Sequence, residues 1–277
     1  MLSLLVPVIL MLTTGLFAGV LGALLGLGGG IIVTPILVLG FGVPIHVAFG
    51  VSVLAVIASS LGTSLTYLRQ PQDLVNMKLG FFMEIPVTIG GIIGALLVSY
   101  FSTSWLNTLF GCLMLYQAIM TAYKLAHQGT TPLAQYDPLA EKLAFNQVDY
   151  QVEKVTLSTG FMVIVGMASG LLGIGSGMLG KGVAFDNLMK LPVKTSSATS
   201  NFMMGLPSSA IAITYWLNGG LDLNRAVPVV LGVLLGSVIG ARIMPLLPTL
   251  FLRWLFVPVI GFAGVQLVLK AFSVRLY

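Results

Sequence analysis

The chain has 277 residues, 57% of them apolar and 8% charged, with a mean hydropathy of +1.03. A soluble domain carries about 25% charged residues, so a water-soluble monomer is excluded. Apolar runs of roughly 20 residues, the length of a spanning helix, also exclude a barrel of short alternating strands. The net charge of +5 comes from 13 Lys and Arg scattered along the chain. It reads as the basic bias of cytoplasmic loops and not as a nucleic-acid surface. The single Cys112 rules out a disulfide framework. The expected class is an all-α, polytopic integral membrane protein.

The first span runs from Leu4 to Leu25. It lacks a basic leader and reads as a membrane helix, not a signal peptide. It enters the cluster Gly26-Leu27-Gly28-Gly29-Gly30, where the backbone is given residues that leave a helix easily. Ile31 to Gly40 is apolar but would rise only about 15 Å, half of a ~30 Å hydrocarbon core. Pro44 opens a long helix ending near Tyr67, followed by a polar loop from Arg69 to Lys78. Leu79 to Phe101 forms a further span with Glu84 and the small-residue stripe Gly90, Gly91, Gly94 and Ala95, and Trp105 to Leu125 completes this half. Residues 1–125 are thus a first transmembrane repeat. Residues 126–154 hold Asp137, Glu141, Asp149, Glu153 and His127 and read as a solvated extramembrane linker, with a short helix near Leu139 to Phe145.

Residues 155–277 repeat the pattern at an offset of about 147 residues. Val155 to Leu172 enters Gly173-Ile174-Gly175-Ser176-Gly177, Met178 to Leu191 is again short, and Pro192 opens a helix expected to run to Leu217. Ala226 to Met244 and Leu250 to Phe272 follow. Pro44 pairs with Pro192, Ser52 with Ser200, Thr66-Tyr67 with Thr214-Tyr215, Asn76 with Asn224, and the Gly90 stripe with Gly236 to Ala241. This predicts two homologous repeats with 8–10 membrane segments. Glycine breaks beside half-length helices favour an inverted 5+5 arrangement, although the basic residues leave a parallel arrangement open.

Gly-x-Gly-Gly-Gly with Pro35 five residues on, then Val-Pro-x-His-x-Ala-x-Gly-x-Ser from Val43 to Ser52, resembles the sulfite exporter TauE/SafE family. The weaker copy from Gly173 to Ser200 falls where that family places its repeat. The resemblance covers nearly the whole membrane part and implies a permease for small sulfur-containing or organic anions, such as sulfite, sulfonates and sulfoacetate. The second copy departs from the pattern. Ser176 replaces a glycine, Gly182 stands in place of Pro35, Lys181 adds a charge, and Lys194 lies opposite His46.

An anion can be held by free N–H donors at a helix start and by nests of successive amides. Gly28, Gly29 and Gly30, with Gly175, Ser176 and Gly177, are therefore candidate substrate ligands; the competing reading is close helix packing. Lys181 would complement an anion, or snorkel, or pair with Asp186. Ser52, Thr199, Ser200 and Asn201 can contact substrate or bridge helices. Glu84 and His46 are candidates for proton coupling, against interfacial roles. Tyr67 and Tyr215 read as interface anchors, and Arg242 and Arg253 as boundary residues. Gly175-x-x-x-x-Gly180-Lys181 lacks the Ser or Thr of a phosphate loop and any preceding strand.

The expected activity is secondary transport by alternating access. An anion channel, an intramembrane enzyme and a membrane scaffold are the alternatives. Ile174 breaks the nucleophile elbow and only two histidines occur, so no catalytic residues, metal ligands or cofactor are expected. The expected partners are a small anion, protons as coupling ion and the lipid bilayer, with no nucleic acid. The expected location is the cytoplasmic (inner) membrane with the central loop cytoplasmic, and the oligomeric state is open between monomer and homodimer.

Overall fold

A computed structural model describes residues 2–69, 74–126, 137–146, 150–177 and 180–273, and all its regular elements are helices. They are α1 (Leu2–Leu25), α2 (Gly30–Pro35), α3 (Ile45–Tyr67), α4 (Met77–Leu97), α5 (Thr103–Ala126) and α6 (Pro138–Lys142). Then come α7 (Val155–Leu172), α8 (Gly180–Leu188), α9 (Val193–Met203), α10 (Gly205–Leu217), α11 (Leu223–Ile243) and α12 (Thr249–Ser273). α2 continues as a π-helical turn, Ile36–Gly40, and α8 is π-helical throughout. Five stretches are long and apolar enough to cross a membrane: Val6–Leu25, Ile45–Tyr67, Met77–Tyr100, Val155–Leu172 and Leu223–Leu246. The fold is that of a polytopic helical membrane protein.

Small residues decide how the helices pair. A Cβ at Gly90 or Gly94 of α4 would run into the backbone of Val163 or Met167 of α7, and one at Gly166 or Gly170 into Val87 or Gly91. The pairing of α1 with α11 repeats this: Gly15 and Gly19 face Val229 and Val233, while Gly236 and Gly240 face Leu16 and Val20. Close backbone approach maximises dispersion contact where lipid tails remove any hydrophobic drive. In both pairs residue numbers rise together, so the helices run parallel. α5 and α12 run antiparallel, with Ser104 Oγ donating to the Ala271 carbonyl (3.1 Å) and Gly261 lying against Ala118.

The structure alters several local expectations. The helix opened by Pro192 breaks at Met204, because Pro207 has no N–H to offer the Met203 carbonyl and its ring crowds that turn. Ser60 Oγ bridges the break by donating to the Phe202 carbonyl (3.2 Å). Tyr67 and Tyr215 are not interface anchors. Both are 2% exposed, and their hydroxyls donate to the carbonyls of Ala23 (3.2 Å) and Gly170 (3.0 Å). Asn76 caps α4 through the Leu79 N–H (3.1 Å), but the capping counterpart on α11 is Asp222, not Asn224.

Two of the linker acids, Asp137 and Glu153, are structural rather than solvated, while Glu141 is exposed. Asp137 caps α6 with one carboxylate oxygen and accepts the Val155 N–H, the start of α7, with the other (2.8 Å). Glu153 is fully buried and paired with Lys190 (2.9 Å). The Asn76 amide donates to the Phe145 carbonyl (2.7 Å) and the Tyr150 hydroxyl (3.1 Å). Burial raises the Tyr150 pKa, and the Asn76 bond offsets part of that rise. His127 and Asp149 lie outside the described residues.

The close α4–α7 approach gives a signed prediction. Gly90→Ala is expected to cost about 1–3 kcal/mol by overpacking. Gly160→Ala, on the same pair but with nothing within 4 Å of the new Cβ, is expected to be neutral or to gain up to about 1 kcal/mol from helix propensity. Thermal unfolding of the two purified variants in one detergent checks the opposite signs.

Candidate functional site

The two glycine breaks meet at the centre of the molecule. Gly26, Gly28 and Gly29 adopt left-handed backbone (φ 74°, 72° and 72°), as do Gly173 and Gly175 (φ 61° and 70°). A Cβ on Gly28 would lie 2.9 Å from Met204 Sδ and 3.0 Å from Val56 Cγ1. One on Gly175 would meet the same two side chains, at 3.3 Å and 2.8 Å. Val56 is mid-way along α3, and Met204 is the hinge between α9 and α10. Gly177 packs on the Gly26 carbonyl and Leu27 Cα (2.8 and 2.9 Å to its would-be Cβ), and Gly30 packs on Ser52. Residues 21–35 and 172–177 are all buried.

The polar groups freed by the breaks are largely satisfied from within. The Gly30 N–H donates to the Gly28 carbonyl (2.8 Å), while those of Ile32 and Val33 share the Gly29 carbonyl (3.0 and 3.1 Å). The first turn of α2 therefore caps itself. Ser52 Oγ donates to the Gly30 carbonyl (2.8 Å), Ser200 Oγ to Gly26 (3.0 Å), and Asn201 Nδ2 to Ala23 (3.0 Å). Among the described residues, Thr34 Oγ1, Ser176 Oγ and Asn201 Oδ1 are buried without a hydrogen-bond partner.

Of the residues expected at the site, Gly28, Gly30, Ser52, Gly175, Ser176, Gly177, Ser200 and Asn201 are brought together around the breaks. Gly29 turns towards α1, with the Ala18 carbonyl 3.2 Å from its would-be Cβ. Thr199 faces α4, its hydroxyl accepting the Asn76 N–H (3.0 Å). Glu84 is buried on α4, at 6% exposure. His46 sits half-buried at the start of α3, 3.3 Å from Thr103 Oγ1. The backbone of Lys181 begins α8, and its side chain lies outside the described residues. Asp186 accepts from Ser196 Oγ (2.5 Å). Val56 and Met204 were not anticipated. The available signal was their common spacing, four residues after the paired Ser52 and Ser200. Gln117 was also missed: its amide nitrogen lies 2.9 Å from the Cβ position that Gly182, the counterpart of Pro35, leaves empty. A neighbouring groove lined by Phe17, Ile31, Pro35, Met114 and Pro258 among others is almost entirely apolar, with no charged or polar side chain in its lining.

A family model described as sulfite exporter TauE/SafE matches residues 11–267. The chain belongs to this family. Two Bacillus subtilis relatives are similar to it over most of their length. "Probable membrane transporter protein YunE" is 30% identical, covering 85% of this chain and 88% of the relative. "Probable membrane transporter protein YdhB" is 27% identical, covering 89% and 92%. "Probable membrane transporter protein MJ0441" of Methanocaldococcus jannaschii is 26% identical, covering 85% and 87%. No solved structure matches significantly. With its spans, this TauE/SafE family member is a multi-pass membrane transporter.

The shared wall of Val56 and Met204 predicts coupled defects. Gly175→Ala is expected to cost roughly 1–2 kcal/mol for the left-handed backbone alone, plus the contact with Val56. Val56→Ala in the same chain should recover the contact part only. Double-mutant thermal denaturation measures the interaction, and full recovery would show that the backbone is unstrained.

Proposed function

We propose that this TauE/SafE family protein is a secondary transporter for a small sulfur oxyanion or organosulfonate, of the sulfite, sulfonate or sulfoacetate type. The observation that carries the reading is the meeting of two glycine breaks at one buried point between Val56 and Met204. Irregular backbone at membrane depth is tolerated where it is enclosed by protein or lines a cavity. The family name supports the substrate class, and the burial of both breaks supports alternating access from a closed intermediate.

The halves are inverted repeats in this reading. α5 and α12 occupy equivalent places yet run antiparallel, as a two-fold axis in the membrane plane requires. The exchange of parallel partners, α1 with α11 and α4 with α7, follows from the same axis. Rocking one half against the other would open the breaks to each side in turn. The linker then lies on the face where α4 and α7 begin, which we assign to the cytoplasmic side of the inner membrane. The substrate would meet Gly28, Gly30 and Ser52 on one side and Gly175, Ser176 and Gly177 on the other. Their amides become donors when the self-capping bonds of the break exchange for the anion. Lys181, just past the second break, supplies countercharge. Glu84 and His46 belong to the proton-coupled form of this mechanism.

Uptake of labelled sulfite and of a labelled sulfonate into proteoliposomes, with and without a pH gradient, tests the reading. Saturable flux is expected, falling at least about tenfold in Lys181→Ala, the order of one lost charge contact. Unchanged flux in that variant would remove Lys181 from the path. Absence of flux for both anions, in protein that reconstitutes folded, would remove the substrate class.

A further inference from the structure

We propose that the carbonyl end of α1, with Ser176, Ser200 and Asn201, forms a binding site for a sodium ion. The Gly26 and Ala23 carbonyls of the first break are each met by a side chain of α9, and the second break packs against them. Ser200 Oγ is 3.0 Å from the Gly26 carbonyl, against which Gly177, the neighbour of Ser176, is packed. Asn201 Nδ2 is 3.0 Å from the Ala23 carbonyl, one turn earlier, which also accepts from Tyr67. Asn201 is fully buried and Ser176 is 2% exposed, and neither Asn201 Oδ1 nor Ser176 Oγ has a hydrogen-bond partner among the described residues.

The sign of the ligand follows from which atoms are spoken for. The Asn201 amide turns its nitrogen to the Ala23 carbonyl, and the atom left without a partner is its oxygen, an acceptor. Around it stand backbone carbonyls at a helix C-terminus, which carries about half a negative charge. An anion would face oxygens there; a cation would be coordinated by them. Broken-helix C-termini with unwound carbonyls are the usual ion ligands in carriers of this architecture. All these oxygens are neutral, and no group of three His, Cys, Asp or Glu exists among the described residues. A neutral set suits a monovalent ion better than a divalent one. The site is also tight, since a Cβ at Gly177 would fall 2.8 Å from the Gly26 carbonyl, which favours sodium over potassium.

The two halves differ where this argument needs them to. Ser176 stands opposite Gly29, and Asn201 opposite Val53. The equivalent point in the other half lacks both oxygens, so one ion per chain is expected. Its use as a coupling ion rests on the carrier reading; its binding does not.

Thermal unfolding of the full-length protein in detergent, in sodium, potassium or choline chloride at constant chloride, is the test. Sodium alone should give a saturable rise in Tm, of about 3 °C. Asn201→Ala and Ser176→Gly should each move the sodium midpoint at least tenfold upward. Equal Tm in sodium and potassium would overturn the site even if no variant folds, as would an unchanged midpoint in both variants. Proteoliposome flux with and without a sodium gradient separates the two proposals. Sodium-specific stabilisation without flux of any anion keeps the site and removes the carrier. Anion flux with Tm and rate both indifferent to sodium keeps the carrier and removes the site.

Discussion

The structure depends on one constraint: backbone polar groups freed inside a membrane protein must be satisfied without water. Two glycine clusters free such groups at the centre of this chain, and the residues around them answer the resulting demand. Ser52, Ser200, Asn201 and Tyr67 each place a donor on a carbonyl of Ala23, Gly26 or Gly30. Tyr215 does the same for Gly170 in the other half. These bonds come from other helices, so the local bonds of the break are not enough to satisfy it. Docked α3 and α9 therefore complete the hydrogen bonding of the break.

Docking, in turn, is set by glycine. α1 and α11, and α4 and α7, approach until backbone meets backbone, with no side chain between them. Close-packed pairs of this kind suit the proposed carrier, in which each pair would move as a body while the breaks and the α9–α10 junction at Met204 would take up the motion. The same glycine thus has two uses in one chain. In the stripes at Gly90 and Gly236 it removes bulk from a straight helix; at Gly28 and Gly175 it permits a left-handed backbone.

The fold was largely legible in the sequence because apolar run length and internal repetition are local signals. Spans, half-length segments and the linker helix fall close to their expected positions. What the sequence could not reveal was long-range. Tyr67 and Tyr215 sit at span ends, where amphipathic rings usually mark the interface, and only the packed structure shows carbonyls waiting for their hydroxyls. Glu153 reads as a loop acid until Lys190 is seen beside it. The α9–α10 break had a local cause, Pro207, that a long apolar pattern concealed. For the site, the glycines announced themselves through spacing. Val56 and Met204 did not, since an apolar residue in an apolar helix carries no mark of being central.

The departures from internal repetition then acquire a common meaning. A scaffold of two like halves needs its paired residues, Ser52 with Ser200 and Tyr67 with Tyr215, to close both breaks in the same way. Chemistry that acts on one solute needs the opposite, a point where the halves differ. Ser176 for Gly29, Asn201 for Val53 and Gly182 for Pro35 all fall within or beside the second break, and Lys181 immediately follows it. In the proposed carrier, duplicated packing would supply the moving frame, and the second half alone carries the extra oxygens, the extra charge and the Gly182 position against which Gln117 packs. In the proposed carrier, the substituted positions are therefore the candidates for solute and ion selectivity.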